Sequence, residues 1–258
     1  MKTVNLFAFS AVALLIVIAA NVACAQPGGG TAPGRRSEIT LAEIQKARAA
    51  LDGPQGYYTK AYSKAETGYW EKLPVWMADD RAKRKVRRVL DIGCGYGTLL
   101  AYAAAFYGAA GYCMDVTEYL IPQFRTPRNL GYAKGNIELD PVPWREQFDL
   151  IIMTEVLEHF NFQPVPTLRK IRDALAPGGL LLLSTPNQEK WGKTTKYYQQ
   201  LKDLPPVDHN RKIVDDHIWQ YEEQELRSVL AEAGFAILKF DYSTTENRRH
   251  FNVMAAPK

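Results

Sequence analysis

The chain has 258 residues, of which 47% are hydrophobic and 23% charged, with 15 prolines and 18 glycines. These proportions are typical of a folded globular domain and exclude a low-complexity or collagen-like chain. The net charge of +4 does not require a nucleic-acid partner, and the three cysteines are too few for a disulfide scaffold.

The first 25 residues have the composition of a targeting segment. Lys2 precedes an apolar run over residues 6–20, and Ala23-Cys24-Ala25 has the small-residue pattern of a cleavage site. We expect residues 1–25 to be a secretory signal peptide, which gives an exported protein, or an uncleaved membrane anchor. In the uncleaved case the basic residues that follow favour a cytoplasmic domain. Residues 26–36, rich in Gly and Pro, are expected to form a flexible linker.

Residues 37–80 form an N-terminal extension with two parts. An approximate apolar stripe that includes Ile39, Leu41 and Ile44 predicts a helix over residues 37–50. Aromatic residues are dense between 57 and 76. We expect this extension to form a helical, aromatic lid over a site, or to pack against a sheet edge.

From residue 81 to 258, strand and helix patterns alternate. Strands are predicted over residues 86–92, 110–116, 132–134, 148–153, 180–184, 236–242 and 251–255. Helices are predicted over residues 98–107, 118–125, 168–175 and 222–233. This alternation predicts a doubly wound α/β fold, with a seven-stranded, mostly parallel sheet and helices on both faces. The polar turn between the last two strands is too short for a crossover helix, so these strands must pair antiparallel.

The first strand of this domain runs into a glycine-rich turn and then a helix. The glycines of this turn are Gly93, Gly95 and Gly97. Such a turn lets the chain bend tightly and lets a ligand lie against its backbone at the carboxyl end of the sheet. Asp115, at the end of the second strand, is placed to accept hydrogen bonds from ribose hydroxyls. Thr98 stands where the dinucleotide pattern G-x-G-x-x-G has its third glycine.

The motifs together resemble the class I S-adenosylmethionine-dependent methyltransferases. The similar segments are the glycine turn, Gly111–Asp115, Phe148–Ile152 with Glu155–His159, and Leu175–Leu180 with Ser184–Asn187. They occur in the family's order over about residues 86–258. The resemblance implies an enzyme that uses S-adenosylmethionine to methylate an acceptor.

The resemblance also implies roles for individual residues. The residues implied to hold the methionine end and sugar of the cofactor are Asp91, Gly93, Cys94, Gly95 and Gly97. Asp115 would bind the ribose, and Asn136 with Ile137 would meet the adenine, although the family more often has Asp at position 136. Thr154 and Glu155 would lie beside the sulfonium.

The candidate catalytic residues lie after the fourth predicted strand. Glu155, Glu158 and His159 share one face if this stretch is helical. We predict His159 as general base, with Glu155 beside the reacting atoms; the alternative is that these side chains cap and orient the loop. Small-RNA 2′-O-methyltransferases have a similar pattern around Mg²⁺, which here would comprise Glu155, Glu158, His159 and His217. Because Mg²⁺ prefers oxygen ligands, no metal is predicted.

Three further features of the sequence lie outside these motifs. The basic run over residues 81–88 is interpreted as a solvated helix end rather than a phosphate site. The long segment over residues 188–215 is expected to contribute substrate specificity. Cys94 and Cys113 end neighbouring strands, and we expect them to be a reduced pair in the core.

The favoured function is methyl transfer to a small-molecule or sugar-like hydroxyl group. The alternatives are methylation of RNA or protein, or a catalytically silent adenosylmethionine-binding protein. The silent alternative arises because S-adenosylmethionine is not made in exported compartments. The partners expected are a small-molecule acceptor and, through the N-terminal segment, a membrane.

Overall fold

The computed structural model describes residues 39–193, 196–245 and 247–258. The predicted targeting segment (1–25) and linker (26–36) lie outside the described residues. Among the helices that are described, none combines the length and the apolar character needed to cross a bilayer.

Helices and strands alternate along most of the described chain. The α-helices are α1 (Leu41–Asp52), α2 (Ser63–Tyr69), α3 (Lys72–Asp80), α4 (Thr98–Tyr107), α5 (Pro122–Arg125), α6 (Pro164–Asp173), α7 (Gln188–Trp191) and α8 (Glu223–Glu232). The strands are β1 (Arg88–Ile92), β2 (Ala110–Asp115), β3 (Leu130–Lys134), β4 (Phe148–Thr154), β5 (Leu175–Pro186), β6 (Phe235–Tyr242) and β7 (His250–Pro257). A π-helical turn over Tyr58–Tyr62 precedes α2, and a 3-10 turn over Leu157–His159 follows β4.

The strands form a seven-stranded sheet in the order β3-β2-β1-β4-β5-β7-β6. Strands β1 to β5 pair parallel, whereas β7 pairs antiparallel with both β5 and β6. The predicted fold class, including the antiparallel pair at the C-terminus, is confirmed. Because β7 runs opposite to β5, its first residue, His250, lies beside Pro186 at the carboxyl end of β5.

Alternate residues of the central strands face two separate hydrophobic cores. In β1, Val89 packs into one core with Leu73 of α3 and Leu100 of α4. Leu90 points to the opposite core, which contains Leu168 of α6 and Leu226 of α8. Successive side chains of a strand point to opposite faces, so helices on both faces bury the two sides of the same sheet.

Some predicted helix boundaries are wrong, and prolines account for two of them. The helix predicted over residues 118–125 begins only at Pro122, because proline is favoured in the first turn and Ile121 before it is extended. The helix predicted over residues 168–175 begins at Pro164 for the same reason and ends at Asp173. By contrast, α4 has the predicted bounds of Thr98 and Tyr107.

The N-terminal helices are tied to the sheet by buried hydrogen bonds. The Tyr58 hydroxyl donates to Glu66 and lies 3.2 Å from the hydroxyl of Thr98 at the start of α4. The side-chain amide of Asn252 in β7 donates to the carbonyl oxygen of Tyr69 at 3.0 Å. These contacts hold α2 over the carboxyl end of the sheet.

Candidate active site

A cavity of about 910 Å³ opens at the carboxyl ends of the parallel strands. Its walls come from the turns after β1, β2, β3 and β4, from the N-terminal helices, and from the start of β7. Open α/β sheets bind ligands at this edge. The cavity therefore occupies the position predicted for the cofactor.

The glycine turn after β1 forms one wall of the cavity. Gly93, Gly95 and Gly97 all have positive φ angles, of 69°, 51° and 79°. A Cβ atom at Gly93 would lie 2.2 Å from Val156 Cγ2, whereas one at Gly95 would meet nothing nearer than 3.6 Å. Gly93 is thus needed for packing as well as for its conformation, while Gly95 leaves its backbone open to a ligand.

Asp115 ends β2 beside this turn and is only 7% exposed. Its Oδ2 accepts a hydrogen bond from the Gly95 N–H at 2.9 Å, and its Oδ1 accepts one from the Thr117 N–H at 2.9 Å. Each carboxylate oxygen retains a second lone pair. Asp115 can therefore hold the turn in place and still accept hydrogen bonds from ribose hydroxyls.

Asp91 in β1 is buried, and its Oδ1 has no hydrogen-bond partner among the described residues. Burial raises the pKa of Asp91 well above its usual range, and the nearby Asp115 carboxylate adds to the effect. Asp91 does not itself line the cavity, but the next two residues, Ile92 and Gly93, do, and a buried acceptor without a donor can receive one from a ligand bound there. The ammonium group of S-adenosylmethionine is such a donor, so the residues around the turn fit this cofactor.

Cys94 of the turn and Cys113 of β2 form a disulfide bond. The expectation of a reduced pair is wrong. Cys113 lies opposite Asp91 in the pairing of β1 with β2, which brings the two cysteine Cα atoms to 5.7 Å, within the range that a disulfide requires. The disulfide links the glycine turn to β2, the strand that ends in Asp115.

Asn136 and Ile137 follow β3 and line the cavity, where the adenine was predicted. The Asn136 side-chain carbonyl accepts a hydrogen bond from the Glu138 N–H at 2.8 Å, so one of its two lone pairs is already engaged. Glu138, which the sequence did not single out, accepts from the backbone N–H groups of Asn161 and Phe162. Burial raises the pKa of Glu138 to about 7. Its carboxylate joins the turn after β3 to the segment after β4.

The segment after β4 is not an α-helix, so Glu155, Glu158 and His159 do not share one helical face. Thr154 is the last residue of β4, and Glu155 has a left-handed backbone with φ of 54°. The 3-10 turn over Leu157–His159 buries Glu158, whose carboxylate accepts from the Thr185 hydroxyl at 2.9 Å. Burial raises the pKa of Glu158 well above its usual range, and the Glu155 carboxylate adds to this.

His159 lines the cavity, and its ring centroid lies 4.8 Å from that of His217. Burial lowers the pKa of His159, and so does the neighbouring His217. Glu158, His159 and His217 each bring one potential ligand atom within 4.8 Å of the others. Two imidazoles and one carboxylate are a poor match for Mg²⁺. Glu155, the fourth residue of the possible magnesium site, has its hydrogen bonds to other residues.

Glu155 is hydrogen-bonded to His250, a residue that was not predicted from the sequence. The Nδ1 atom of His250 lies 2.9 Å from Glu155 Oε2. One signal was present in the sequence: an antiparallel last strand must begin at the edge where the parallel strands end. The histidine at its first position therefore had to lie near the candidate site.

Aromatic side chains form the outer wall of the cavity. Tyr62 lies against Tyr96 of the glycine turn at 4.9 Å between ring centroids. Tyr69 and Trp191 flank His250 at 4.8 Å and 5.7 Å. Of the segment over residues 188–215, Trp191 and residues 213–215 line the cavity, and residues 194 and 195 lie outside the described residues.

The basic run over residues 81–88 lies away from this cavity. It leads into the amino end of β1, and the backbone N–H groups of Arg87 and Arg88 donate to Asp149. The run thus contacts the start of β4 rather than the glycine turn.

The fold and the site together define a protein that binds S-adenosylmethionine in the manner of class I methyltransferases. The model of a family described as a methyltransferase domain matches residues 67–239. The chain belongs to this family of S-adenosylmethionine-dependent methyltransferases.

Solved structures of methyltransferases share the fold at low sequence identity. An S-adenosylmethionine-dependent methyltransferase from Clostridium acetobutylicum has a TM-score of 0.58 and 13% identity, over 78% of this chain and 96% of that one. The magnesium protoporphyrin IX methyltransferase from Synechocystis, solved with S-adenosylhomocysteine, has a TM-score of 0.56 and 16% identity, over 85% and 95% of the two chains.

Curated relatives are similar over shorter regions. A ubiquinone biosynthesis O-methyltransferase from Dinoroseobacter shibae is 38% identical over 109 residues, which are 39% of this chain and 42% of the relative. A demethylspheroidene O-methyltransferase from Rhodobacter capsulatus is 32% identical over 114 residues, 42% of this chain and 28% of the relative. The chain spans less than half the length of these two relatives.

Proposed function

We propose that this protein transfers a methyl group from S-adenosylmethionine to a hydroxyl group of a small molecule that has a planar ring. One observation carries the proposal: a single cavity extends from the glycine turn and Asp115 to an aromatic wall that includes His250. Cofactor and acceptor can thus meet in one space, as displacement at a methyl group requires. The relatives named as O-methyltransferases support the choice of oxygen as the methylated atom.

The charge of the cavity supports an uncharged or cationic acceptor. Among the described residues that line it there are carboxylates but neither lysine nor arginine. The lining carboxylates are Asp115, Glu138, Glu155, Glu158 and Asp215. Nucleic acids are bound mainly through basic side chains on their phosphates. This lining therefore favours a small molecule over RNA.

A transfer assay with the full chain tests this proposal. We would incubate it with methyl-labelled S-adenosylmethionine and, separately, with catechol, a methyl glycoside and a short RNA, and would identify labelled products by mass spectrometry. We expect label on a phenolic oxygen of catechol. Label on the RNA, or on none of the acceptors while the cofactor binds, would contradict the proposal.

We also propose that the domain works on the oxidising side of a membrane, after export. The disulfide between Cys94 and Cys113 supports this, because such bonds persist in oxidising compartments and are rare in the cytosol. The cofactor would then have to be delivered across the membrane.

The redox state of the cysteines in cells tests the location. The cells are quenched with acid, and the denatured protein is then alkylated with a maleimide polymer. If residues 1–25 are removed, Cys24 is removed with them, and the mature chain should show no free thiol. A shift by two polymers without prior reduction would place the domain in a reducing compartment and contradict this proposal.

A further inference from the structure

His250 is fixed at the edge of the cavity by its own strand. Its backbone N–H donates to the Ser243 hydroxyl at 3.1 Å, and its carbonyl oxygen accepts from the Ser243 N–H at 2.9 Å. The residue is only 1% exposed, yet it lines the cavity. The backbone of His250 is therefore fixed by Ser243, and its ring lies between the protein interior and the ligand space.

Glu155 holds the imidazole from the opposite side. Its Oε1 accepts from the Ser184 hydroxyl at 2.7 Å, and its backbone N–H donates to the Ser184 carbonyl at 3.0 Å. Its left-handed φ of 54° is uncommon for a residue other than glycine. Such conformations persist where the surroundings enforce them, often at functional sites. Here the conformation directs the carboxylate at His250.

The bond to Glu155 determines which nitrogen of His250 carries the proton. A carboxylate accepts hydrogen bonds, so the Nδ1 atom that faces it at 2.9 Å must be the donor in neutral His250. The lone pair of the neutral ring then lies on Nε2. This nitrogen is buried and has no hydrogen-bond partner among the described residues.

A bound ligand can supply the donor that this buried acceptor lacks, because His250 lines the cavity. The ring of His250 is flanked by Tyr69 at 4.8 Å and by Trp191 at 5.7 Å, so an aromatic acceptor would lie against the same wall. His159 also has a buried ring nitrogen, Nδ1, without a hydrogen-bond partner among the described residues. Its environment differs, because its ring faces His217 and its Nε2 lies 3.9 Å from Glu158 Oε1, too far for a hydrogen bond to that carboxylate.

We propose that His250 is the catalytic base of the methyl transfer and that Glu155 is its positioning residue. The inference rests on the proposed function and extends it. S-adenosylmethionine, when bound, supplies a methyl group whose bond to sulfur breaks, with the electron pair left on sulfur, as the acceptor oxygen bonds to the methyl carbon. The hydroxyl proton of the acceptor moves to Nε2 of His250, and the Glu155 carboxylate stabilises the imidazolium that results.

Nitrogen NMR of the full chain labelled with ¹⁵N-histidine tests the inference without any acceptor. The chain has four histidines, and the variant H250Q identifies the signals of His250. We expect neutral His250 to carry its proton on Nδ1, and we expect E155Q to reduce this preference. A proton on Nε2, or a ring that keeps both protons at about pH 8 (well above the ordinary histidine pKa), would overturn it.

Kinetics with catechol provides the second test. We expect H250Q to lower kcat at least about 100-fold, the lower range for a lost general base, with S-adenosylhomocysteine affinity within threefold of wild type. E155Q should lower kcat less. The matched control is H209Q, since His209 is exposed and, unlike residues 213–215 of the same segment, does not line the cavity.

The rival base is tested in the same assay. If H159Q causes the large loss and H250Q does not, His159 is the base and our inference is wrong. If the wild type binds cofactor but methylates no hydroxyl acceptor, the proposed function fails, while the NMR result still decides whether Nε2 of His250 is the free acceptor.

Discussion

Asp115 connects cofactor binding to the shape of the glycine turn. Its carboxylate accepts a hydrogen bond from the Gly95 N–H and retains lone pairs for the hydroxyl groups of a ribose. We expect Asp115→Ala to weaken S-adenosylmethionine binding at least about tenfold, since a hydrogen bond to a charged group contributes about 1.5–3 kcal/mol. Calorimetric titration measures this affinity.

Asp115→Asn is the matched variant for this experiment. It keeps one acceptor oxygen and nearly the same volume, so its affinity should lie between those of wild type and D115A. An unchanged affinity in D115A, with an unchanged Tm, would contradict the ribose assignment.

Glu158 gives a dependence of stability on pH. Burial and the Glu155 carboxylate raise its folded-state pKa, so its contribution to stability is full below the unfolded-state value and is lost as pH rises through the folded-state value. A glutamine side chain in its place would resemble the neutral acid and would not titrate. We therefore expect the Tm of Glu158→Gln relative to wild type to rise from about pH 5 to about pH 9.

The exposed residue Glu189 provides the control, because Glu189→Gln removes a carboxylate without removing a buried charge. Its Tm difference from wild type should stay nearly constant over the same range. If the E158Q difference is equally flat, Glu158 does not titrate between folded and unfolded states as described.

At the scale of secondary structure elements, the disulfide joins the glycine turn to β2. Cys94 and Cys113 are 19 residues apart in sequence, and closing a loop of this size restricts the unfolded chain by roughly 3 kcal/mol. We expect the double variant C94A/C113A to lose Tm and to bind S-adenosylmethionine more weakly, because the turn is no longer tied to the strand that carries Asp115.

Reducing agent supplies an independent comparison. It should lower the Tm of the wild type towards that of the double variant and leave the double variant unchanged. A wild type whose Tm and cofactor affinity do not respond to reduction, after loss of the bond is verified by mass spectrometry, would show that the bond does not support the turn.

Elements whose signals are local could be predicted from the sequence. Helix α4 has the predicted bounds because Gly97 and Gly108, both with positive φ, stand at its two ends. The antiparallel pairing of β6 and β7 followed from the short turn between them. The conformation of the segment after β4 could not be predicted, because it depends on hydrogen bonds that the Glu155 carboxylate accepts from Ser184 and His250, which are distant in sequence.

At the scale of the whole molecule, the acceptor side of the cavity is assembled from distant parts of the chain. Tyr69 comes from α2, Trp191 from α7 and His250 from β7. The sequence located both aromatic segments as candidates for substrate binding. It could not show that they meet at one imidazole, because that requires the order of the strands and the docking of α2 on Asn252.

Trp191 is 41% exposed and belongs to neither hydrophobic core, so removal of its ring takes away contacts with His217, His250 and Arg249 rather than core packing. We expect Trp191→Ala to raise the KM for catechol severalfold while the Kd for S-adenosylmethionine and the Tm stay close to wild type. Initial rates at varied catechol concentration give the KM. An unchanged KM would exclude Trp191 from the acceptor wall.

Cofactor binding is the central claim, and calorimetric titration of the purified full chain with S-adenosylmethionine and S-adenosylhomocysteine tests it most directly. We predict one site per chain with micromolar affinity for both compounds, weakened in D115A. Absence of heat and of any Tm shift with either compound, from a folded and disulfide-bonded sample, would contradict the account.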